Sequence, residues 1–424
     1  MMNKLLLGLK RPIHDQLSDL MGDITAGMTV AVLLIPQSMA YALIAGVPVE
    51  LGLSAASFPV LVYTFIGRSR YLSVGPVSIV SLLAFSGVST IAQGDSTRFI
   101  ALMITLTLIV GVIQTLLGFI KVGSFFNYVS SAVIDGFISA AAIIIVLNQG
   151  KALFGIDLPN YDNMISFGKE LANHISEVNP YILAFASGSI VFLLIMKKVL
   201  PSAPGAFIVI IASVVITSNF ALHTKKGVDI IGKIPRGFPE FGVVIPSYDI
   251  VLQLFPVAFM IAFISFVESY SIARQLANND REKLCPNQEL YALGLANVTS
   301  SIAGSIPVAG AISRTAVNYQ SGAKTKLSLI VSALFIFLAI LFLTPIFYYL
   351  PKASLAAIII IAVSKLIHLK QFIRYLKGKH TEAFMFLTTF LSTLFIDIFL
   401  GLMIGITLSL ISTIMKKGGS GIEN

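Results

Sequence analysis

Long apolar runs are the feature that most limits what this chain can fold into. A helix needs about 20 apolar residues to cross a membrane, and the sequence contains several such runs, from "GMTVAVLLIPQSMAYALIAG" near its start to "AFMFLTTFLSTLFIDIFLGLMIGITLSLISTI" near its end. The last run is too long for one crossing, so we expect it to fold back near Asp397. With the weaker segments included, we expect about 12 to 14 crossings.

Composition supports the same interpretation. Hydrophobic residues make up 56% of the 424 residues and charged residues only 12%, and the mean hydropathy is +0.90. These values lie outside the range of soluble globular domains. The sequence also lacks the short alternating strands of a membrane barrel. The fold class that we predict is therefore an all-α polytopic membrane protein.

The net charge of +9 raises the question of an acidic partner, and the distribution of the basic residues answers it. If the amino terminus is cytoplasmic and the chain crosses 14 times, twenty of the 29 Lys and Arg residues fall inside and eight outside. This bias follows the positive-inside rule, so it indicates topology rather than binding of nucleic acid. We predict a multi-pass protein of the cell membrane with both termini cytoplasmic. Arg314 is the one cation that this topology does not place in a loop.

The two halves of the sequence carry similar interruptions. "IPQSMAYA" near Gln37 is followed 38 residues on by "SVGPVSIVS" near Gly75, and "ISFVESYSIA" near Glu268 is followed 42 residues on by "VAGAISRTA" near Gly310. Each half thus has a polar residue inside an apolar helix and then a segment broken by small residues or proline. Paired interruptions are typical of transporters with internal repeats, although Gly and Pro are also common in membrane helices generally.

The two broken segments are candidates for an anion site. Unpaired backbone groups are not tolerated in lipid, so a broken helix at membrane depth must line an enclosed cavity. A short helix that begins after each break presents amides without intrahelical partners and the positive end of its dipole. Two such ends facing each other would bind an anion without a full charge. Pro76 and Ser313 fall in the expected first turns.

The polar side chains of the apolar helices each have two interpretations. Arg314 either faces the cavity, where it adds to the positive field, or is a structural strut paired with a carboxylate. Glu268 either gains and loses a proton during transport or neutralises Arg314 permanently. Gln37, after the kink expected at Pro36, either binds the anion or ties helices together. We expect Asp135, near the inner end of a span, and Asp397, in the turn of the last helical pair, to be interfacial rather than catalytic.

Motifs of enzymes are missing from the sequence. There is no Gly-rich phosphate loop and no pair of histidines on one helix face, and all five histidines fall in expected loops or interfaces. The single cysteine, Cys285, leaves no internal disulfide and no thiolate cluster. We therefore predict no enzymatic activity, no cofactor, no metal site and no ATP-driven transport within the chain.

Several blocks of the sequence resemble one known family. The segment "LIPQSMAYALIAGVPVELGLSAASFPVLVYTFIGRSRYLSVGPVSIVSLL", residues 34–83, is similar to the signature region of the sulfate permease (SulP) family of anion transporters, to which prestin also belongs. "FVESYSIARQ", "NQELYALGLANVTSSIAGSIPVAGAISRTAVNYQSGAKT" and "LPKASLAAIII" resemble further family blocks. The similarity covers nearly the whole membrane region.

This resemblance implies an architecture. It implies 14 membrane segments in two inverted repeats of seven, half-helices in the third and tenth segments, and a core domain that moves against a gate domain, usually in a homodimer. The corresponding boundaries are approximately 20–125 and 250–346 for the core, 126–249 and 347–416 for the gate, and 417–424 for a linker or truncation scar. The carboxyl-terminal STAS domain that is typical of the family is expected to be absent.

The resemblance also implies a set of site residues. Carried over position by position, the substrate-binding residues are Gln37, Tyr41, Pro76, Val77, Ala311, Ile312, Ser313 and Arg314, and the proton-coupling residue is Glu268. Tyr41 and Val77 stand where prestin-like members have phenylalanines, so the polarity and width of the cavity are expected to differ.

The function that we predict is secondary active transport of a small anion, with sulfate as the first choice. Uptake is expected to be coupled to protons through Glu268, as symport, and to work by an elevator-like movement of the core against the gate. The expected partners are the anion, protons with sodium as the alternative co-ion, the lipid bilayer and a second copy of the chain. A sodium-coupled bicarbonate transporter and a passive anion channel or exchanger are the alternatives, and an electromotile role like that of prestin comes third.

Overall fold

The computed structural model describes most of the chain, and nearly all of what it describes is helical. The described residues are 13–92, 95–123, 130–159, 161, 163–200, 205–232, 239, 241–242, 245–280 and 284–419. The helices of the first half are α1 (Ile13–Ile44), α2 (Val49–Ala55), α3 (Phe58–Ile66), α4 (Ser78–Ala92), α5 (Ser96–Phe119), α6 (Ser131–Asn148), α7 (Gly150–Phe154), α8 (Met164–His174), α9 (Pro180–Val199), α10 (Gly205–Asn219) and α11 (Leu222–Lys225). The helices of the second half are α12 (Tyr248–Asn279), α13 (Pro286–Ile302), α14 (Ile312–Gln320), α15 (Leu327–Leu338), α16 (Lys352–Val363), α17 (Leu369–Gly378), α18 (His380–Phe395) and α19 (Ile398–Gly419).

Several of these helices have the length and composition of membrane spans. Within the described residues, six stretches are long and apolar enough to cross a bilayer: Asp19–Ile44, Val49–Ile66, Thr97–Phe119, Ser131–Phe154, Pro180–Val199 and Tyr248–Asn279. Shorter apolar helices are Ser78–Ser89, Gly205–Asn219, Leu327–Phe342, Lys352–Val363 and Leu400–Ser412. The prediction of a helical membrane protein is confirmed, whereas 14 crossings in inverted repeats stay a prediction.

Two very short strands meet in the middle of the helical assembly. Strand β1 (Val74–Gly75) pairs with strand β2 (Ala309–Gly310) in antiparallel register, with Val74 opposite Gly310 and Gly75 opposite Ala309. These are the two segments at which the sequence predicts broken helices. Because unpaired backbone groups are costly away from water, each break satisfies part of its backbone with the other.

A buried polar network holds β2 in position. The Asn297 side chain on α13 accepts from the Val308 amide at 2.8 Å and donates to the Val308 carbonyl at 3.0 Å. The side-chain amide of Asn297 also donates to Gln114 on α5 at 2.9 Å. Gln114 donates in turn to Ser265 on α12 at 2.8 Å. Through this network Val308, the residue just before β2, is linked to α13, α5 and α12.

Helices α5 and α13 approach each other closely through glycines. A side chain at Gly111 would place its Cβ 2.6 Å from the Val298 amide nitrogen, and one at Gly294 would place it 2.5 Å from that of Thr115. Small residues permit this kind of close backbone approach between membrane helices. Helices α5 and α13 therefore pack tightly against each other.

The long apolar run at the end of the chain folds back as the sequence predicts. Helix α18 ends at Phe395 and α19 begins at Ile398, and the two helices pack on each other. Asp397 lies in the turn, where its carboxylate accepts from the Leu400 amide at 2.9 Å. This carboxylate caps the new helix, so the prediction of a turn near Asp397 is confirmed.

Candidate functional site

Arg314 lies at the meeting point of the two broken segments, in the first turn of α14. Its side chain is 1% exposed. The guanidinium donates from Nη1 to the Pro76 carbonyl at 3.0 Å and to Gln37 Oε1 at 3.2 Å, and from Nε to Ser73 Oγ at 3.4 Å. Among the described residues, Nη2 has no hydrogen-bond partner. The cation is therefore held in place with one nitrogen uncommitted.

The backbone around Arg314 is locked by hydrogen bonds between the two segments. The Ala311 amide donates to the Ser73 carbonyl at 3.0 Å, and the Ser73 amide donates to Thr315 Oγ1 at 3.1 Å. Gly75 has a φ of +154°, and a Cβ there would lie 3.2 Å from Arg314 Nη2. Glycine at position 75 thus permits both the strand conformation and the close approach of the guanidinium.

Helices α4 and α14 both begin beside this sheet. The first intrahelical bonds run from the Ser81 amide to the Val77 carbonyl at 2.9 Å and from the Thr315 amide to the Ala311 carbonyl at 3.0 Å. The amides that precede these bonds have no partner within their own helices. Each helix also directs the positive end of its dipole to its first turn. Two positive helix ends therefore lie close to the buried guanidinium.

Glu268 lies on α12, beside β2. Its side chain is 8% exposed, and its Oε2 atom has no hydrogen-bond partner in the described part of the chain. The next residue, Ser269, accepts from the Gly310 amide at 2.7 Å and so ties α12 to β2. Glu268 is within electrostatic range of Arg314 and of His368, but no direct ion pair joins Glu268 to Arg314. The two side chains therefore interact electrostatically without a hydrogen bond between them.

The structure brings most of the sequence-predicted site residues into this one region. Those that are buried are Tyr41, Pro76, Val77, Ala311, Arg314 and Glu268, while Gln37 is half-buried and Ile312 and Ser313 are exposed. Gln37 and Pro76 contact Arg314 directly. Tyr41 hydrogen-bonds to Ser78 and lies within electrostatic range of both charges of the site. Ile312 and Ser313, the exposed pair, lie at the start of α14.

Three serines belong to the same region: Ser78 and Ser81, whose hydroxyls the sequence predicts at the start of the first short helix, and Ser73, which was not predicted. Ser73 accepts from Arg314, Ser78 contacts Tyr41, and the hydroxyl of Ser81 is buried without a hydrogen-bond partner among the described residues. All three flank "VGPV" in the first broken segment. Ser73 was missed because serine is too common in membrane helices for one hydroxyl before the break to be a signal by itself.

Gln37 also borders a cleft between helices from different parts of the chain. The cleft has a volume of about 180 Å³. Its walls come from α1, α9, α10 and α16, and Lys197 lines it together with Gln37. Helix α1 belongs to the predicted core and the other three to the predicted gate. In the part of the chain that the structure describes, there is no group of three or more His, Cys, Asp or Glu residues that could hold a metal ion.

Comparison with known proteins identifies the family of the chain. A sequence profile of the Sulfate permease family matches residues 20–389. The chain belongs to the sulfate permease family. The matched range includes both broken segments and every site residue named above. This family is one of transporters and not of enzymes, which confirms the prediction of no enzymatic activity.

Curated sulfate permease relatives are similar over most of this chain. Sulfate transporter 4.1, chloroplastic, of Arabidopsis thaliana is 35% identical over 356 residues, which cover 81% of this chain and 51% of the relative. Prestin of Danio rerio is 32% identical over 374 residues, which cover 81% of this chain and 50% of prestin. A probable sulfate transporter of Mycobacterium tuberculosis is 30% identical over 370 residues, which cover 87% of this chain and 66% of the relative. The chain spans about half the length of the plant and fish relatives.

Solved structures share the fold. Murine Solute Carrier 26 family member A9, an anion transporter in an inward-facing state, superposes with a TM-score of 0.88 at 25% identity, covering 93% of this chain and 68% of that chain. The transmembrane domain of the cyanobacterium bicarbonate transporter BicA superposes with a TM-score of 0.77 at 23% identity, covering 93% and 97%. This second likeness concerns the fold alone.

Proposed function

We propose that this chain is a secondary active anion transporter that takes up sulfate or a similar small anion together with protons. One observation carries the proposal: Arg314 Nη2 is a buried cationic nitrogen without a hydrogen-bond partner among the described residues, at the point where two helices begin. An anion requires uncommitted donors of this kind. The names of the plant and mycobacterial relatives support sulfate as the first anion to test.

The expected mode of binding shares the anion among several weak donors. The first amides of α4 and α14 and the hydroxyl of Ser81 supply neutral hydrogen bonds, and Arg314 supplies charge. Because Arg314 already donates to Pro76 and Gln37, it has only part of its capacity left for substrate. A transporter must release its substrate on every cycle, so a shared site of moderate strength fits the task better than one tight ion pair.

Proton coupling follows from the charge balance between Glu268 and the anion. A proton on Glu268 removes one negative charge near the cavity, so the proton makes anion binding more favourable. By thermodynamic linkage, the anion favours the proton by the same factor. The uncommitted Oε2 atom of Glu268 supports this role, because a carboxylate already paired on both oxygens would have less reason to take up a proton.

The proposed movement displaces the core, residues 20–125 and 250–346, against the gate, residues 126–249 and 347–416. The cleft beside Gln37 lies between α1 of the core and three gate helices, which is where such a movement would open and close a path. The remaining parts of the proposal are 14 segments in two inverted repeats, a homodimer, a cell-membrane location and cytoplasmic termini.

The test is uptake into proteoliposomes of sulfate, bicarbonate, chloride and fumarate, each with a proton gradient, a sodium gradient or no gradient. We expect accumulation of sulfate above its outside concentration when the outside is acidic, and no accumulation without a gradient. Bicarbonate accumulation driven by sodium would favour the alternative transporter. Equilibration of anions without any co-ion requirement would indicate a channel or exchanger and contradict the proposal.

A further inference from the structure

A second polar cluster contains His368, which lies within electrostatic range of Glu268, and the transport site described above does not use it. Asp135 on α6 contacts His368, which precedes α17: its Oδ1 atom is 2.9 Å from His368 Nδ1. Its other oxygen, Oδ2, accepts from the hydroxyl of Tyr375 on α17 at 2.8 Å. The His368 backbone amide donates to Ser139 Oγ at 3.0 Å. His368 is therefore held both through its ring and through its backbone amide.

This arrangement determines which nitrogen of His368 is available. An ionised carboxylate only accepts hydrogen bonds, so Nδ1 carries the hydrogen that Asp135 accepts. That leaves Nε2 as the nitrogen that can take another proton. When it does, the carboxylate of Asp135 neutralises the imidazolium.

The exposure of the three groups increases from the transport site towards the surface. Glu268 is 8% exposed, whereas the side chains of Asp135 and His368 are 19% and 31% exposed. Within the described residues, His368, Arg314 and Tyr41 lie within electrostatic range of Glu268. Of these, His368 is the partly exposed group outside the anion site.

We propose that His368, held by Asp135, accepts the proton that Glu268 releases and passes it to water on the face that the charge distribution predicts to be cytoplasmic. The proposal rests on the proposed proton coupling through Glu268. The proton leaves the Glu268 carboxyl group, crosses through water to His368 Nε2 and forms imidazolium. The imidazolium then loses the same proton to bulk water, so His368 returns to neutral imidazole, and Glu268 stays a carboxylate until it takes up the next proton from the outer side.

The position of the pair explains how the transfer avoids a proton leak. Asp135 and His368 belong to the predicted gate, and Glu268 belongs to the predicted core. Movement of the core against the gate changes the separation of donor and acceptor, so transfer occurs in one conformation and not in the other. Proton release is then tied to a step of the transport cycle rather than to free diffusion.

The experiment measures radiolabelled sulfate in right-side-out membrane vesicles that contain the full chain, its His368→Gln variant or its Asp135→Asn variant. Two rates are compared: accumulation driven by an inward proton gradient, and sulfate-for-sulfate exchange at equal pH. His380→Gln is the matched control, since His380 is an exposed histidine at the start of the neighbouring helix α18. Gradient-driven uptake is also measured at several internal pH values with the outside pH held constant.

We expect His368→Gln to slow gradient-driven uptake by about a hundredfold, the lower end of the effect of losing a positioned proton-transfer group. Asp135→Asn should do so less, since the imidazole remains. Exchange should continue at the wild-type rate, and the response to internal pH should be lost. His380→Gln should behave as wild type.

Several results would overturn the inference. Wild-type gradient-driven uptake in His368→Gln would remove the relay and leave coupling through Glu268 intact. Loss of both rates together with a lower melting temperature would mean that the cluster only holds helices together. If the wild-type chain itself shows no proton-driven uptake, the proposed function fails first, and the wild-type arm alone reveals it.

Discussion

Arg314 and Glu268 are both buried and lie within electrostatic range of each other, yet no ion pair joins them. Each keeps one terminal atom, Nη2 or Oε2, without a protein hydrogen bond in the described part of the chain. Buried charges are costly unless they are paired. An anion bound between or beside the two groups would offset the cost of burying the unpaired arginine.

Glu268→Gln should abolish accumulation driven by a proton gradient while anion exchange continues. The amide keeps the shape of the side chain but fixes it in a neutral state, so the proton can no longer be taken up or released. The measurement compares sulfate accumulation under an imposed pH gradient with exchange at equal pH in proteoliposomes. A variant that still concentrates sulfate would mean that the proton travels by another group.

Gly75→Ala should lower both stability and sulfate affinity. The backbone at position 75 has a φ of +154° and the new Cβ would lie 3.2 Å from Arg314 Nη2, so strain of about 1 to 3 kcal/mol is expected. Gly188→Ala on α9 is the matched control, because a Cβ there meets nothing within 4 Å and alanine favours the helix. Equal melting temperatures and affinities for the two variants would contradict the role assigned to Gly75.

The sequence predicted those parts of the site that cannot face lipid. Polar side chains such as those of Gln37 and Arg314 cannot face hydrocarbon, and the unpaired backbone groups of a broken helix cannot do so either. The polar side chains and the broken helices were therefore expected inside the protein. The pairing of β1 with β2 was beyond reach, because a two-residue strand has no periodicity to detect. The contact of Asp135 with His368 was also missed, since it joins residues 233 positions apart whose meeting depends on how helices pack.

Topology can be tested with two glycines that tolerate a side chain. Gly168 on α8 and Gly378 at the end of α17 are both exposed, and a Cβ at either would meet nothing within 4 Å. In a Cys285→Ser background, Gly168→Cys should react with an impermeant thiol reagent from outside sealed cells, and Gly378→Cys only after permeabilisation. The reason is the excess of basic residues on the face that carries position 378. Labelling of position 378 from outside would invert or break the 14-crossing topology.

Arg314 is expected to contribute to anion affinity as one partner among several. Arg314→Ala should weaken sulfate binding by roughly tenfold to a hundredfold, which corresponds to about 1.4 to 2.8 kcal/mol for one partly solvated charge interaction. Arg314→Lys should recover part of this loss, because the charge remains although the planar fork that reaches Pro76 and Gln37 does not. Affinity is read from the concentration dependence of sulfate uptake or from stabilisation of the detergent-solubilised protein by sulfate.

The rival interpretation of Arg314 as a structural strut predicts a different pattern in the same experiment. A strut that neutralises Glu268 would make both single substitutions lower the melting temperature and the membrane yield. The double variant Arg314→Ala with Glu268→Gln would then restore both, because two uncompensated buried charges disappear together. The structure argues against this outcome, since Arg314 is held by Pro76, Gln37 and Ser73 rather than by Glu268. Unchanged sulfate affinity in Arg314→Ala, with stability rescued in the double variant, would show that this arginine holds the fold and not the anion.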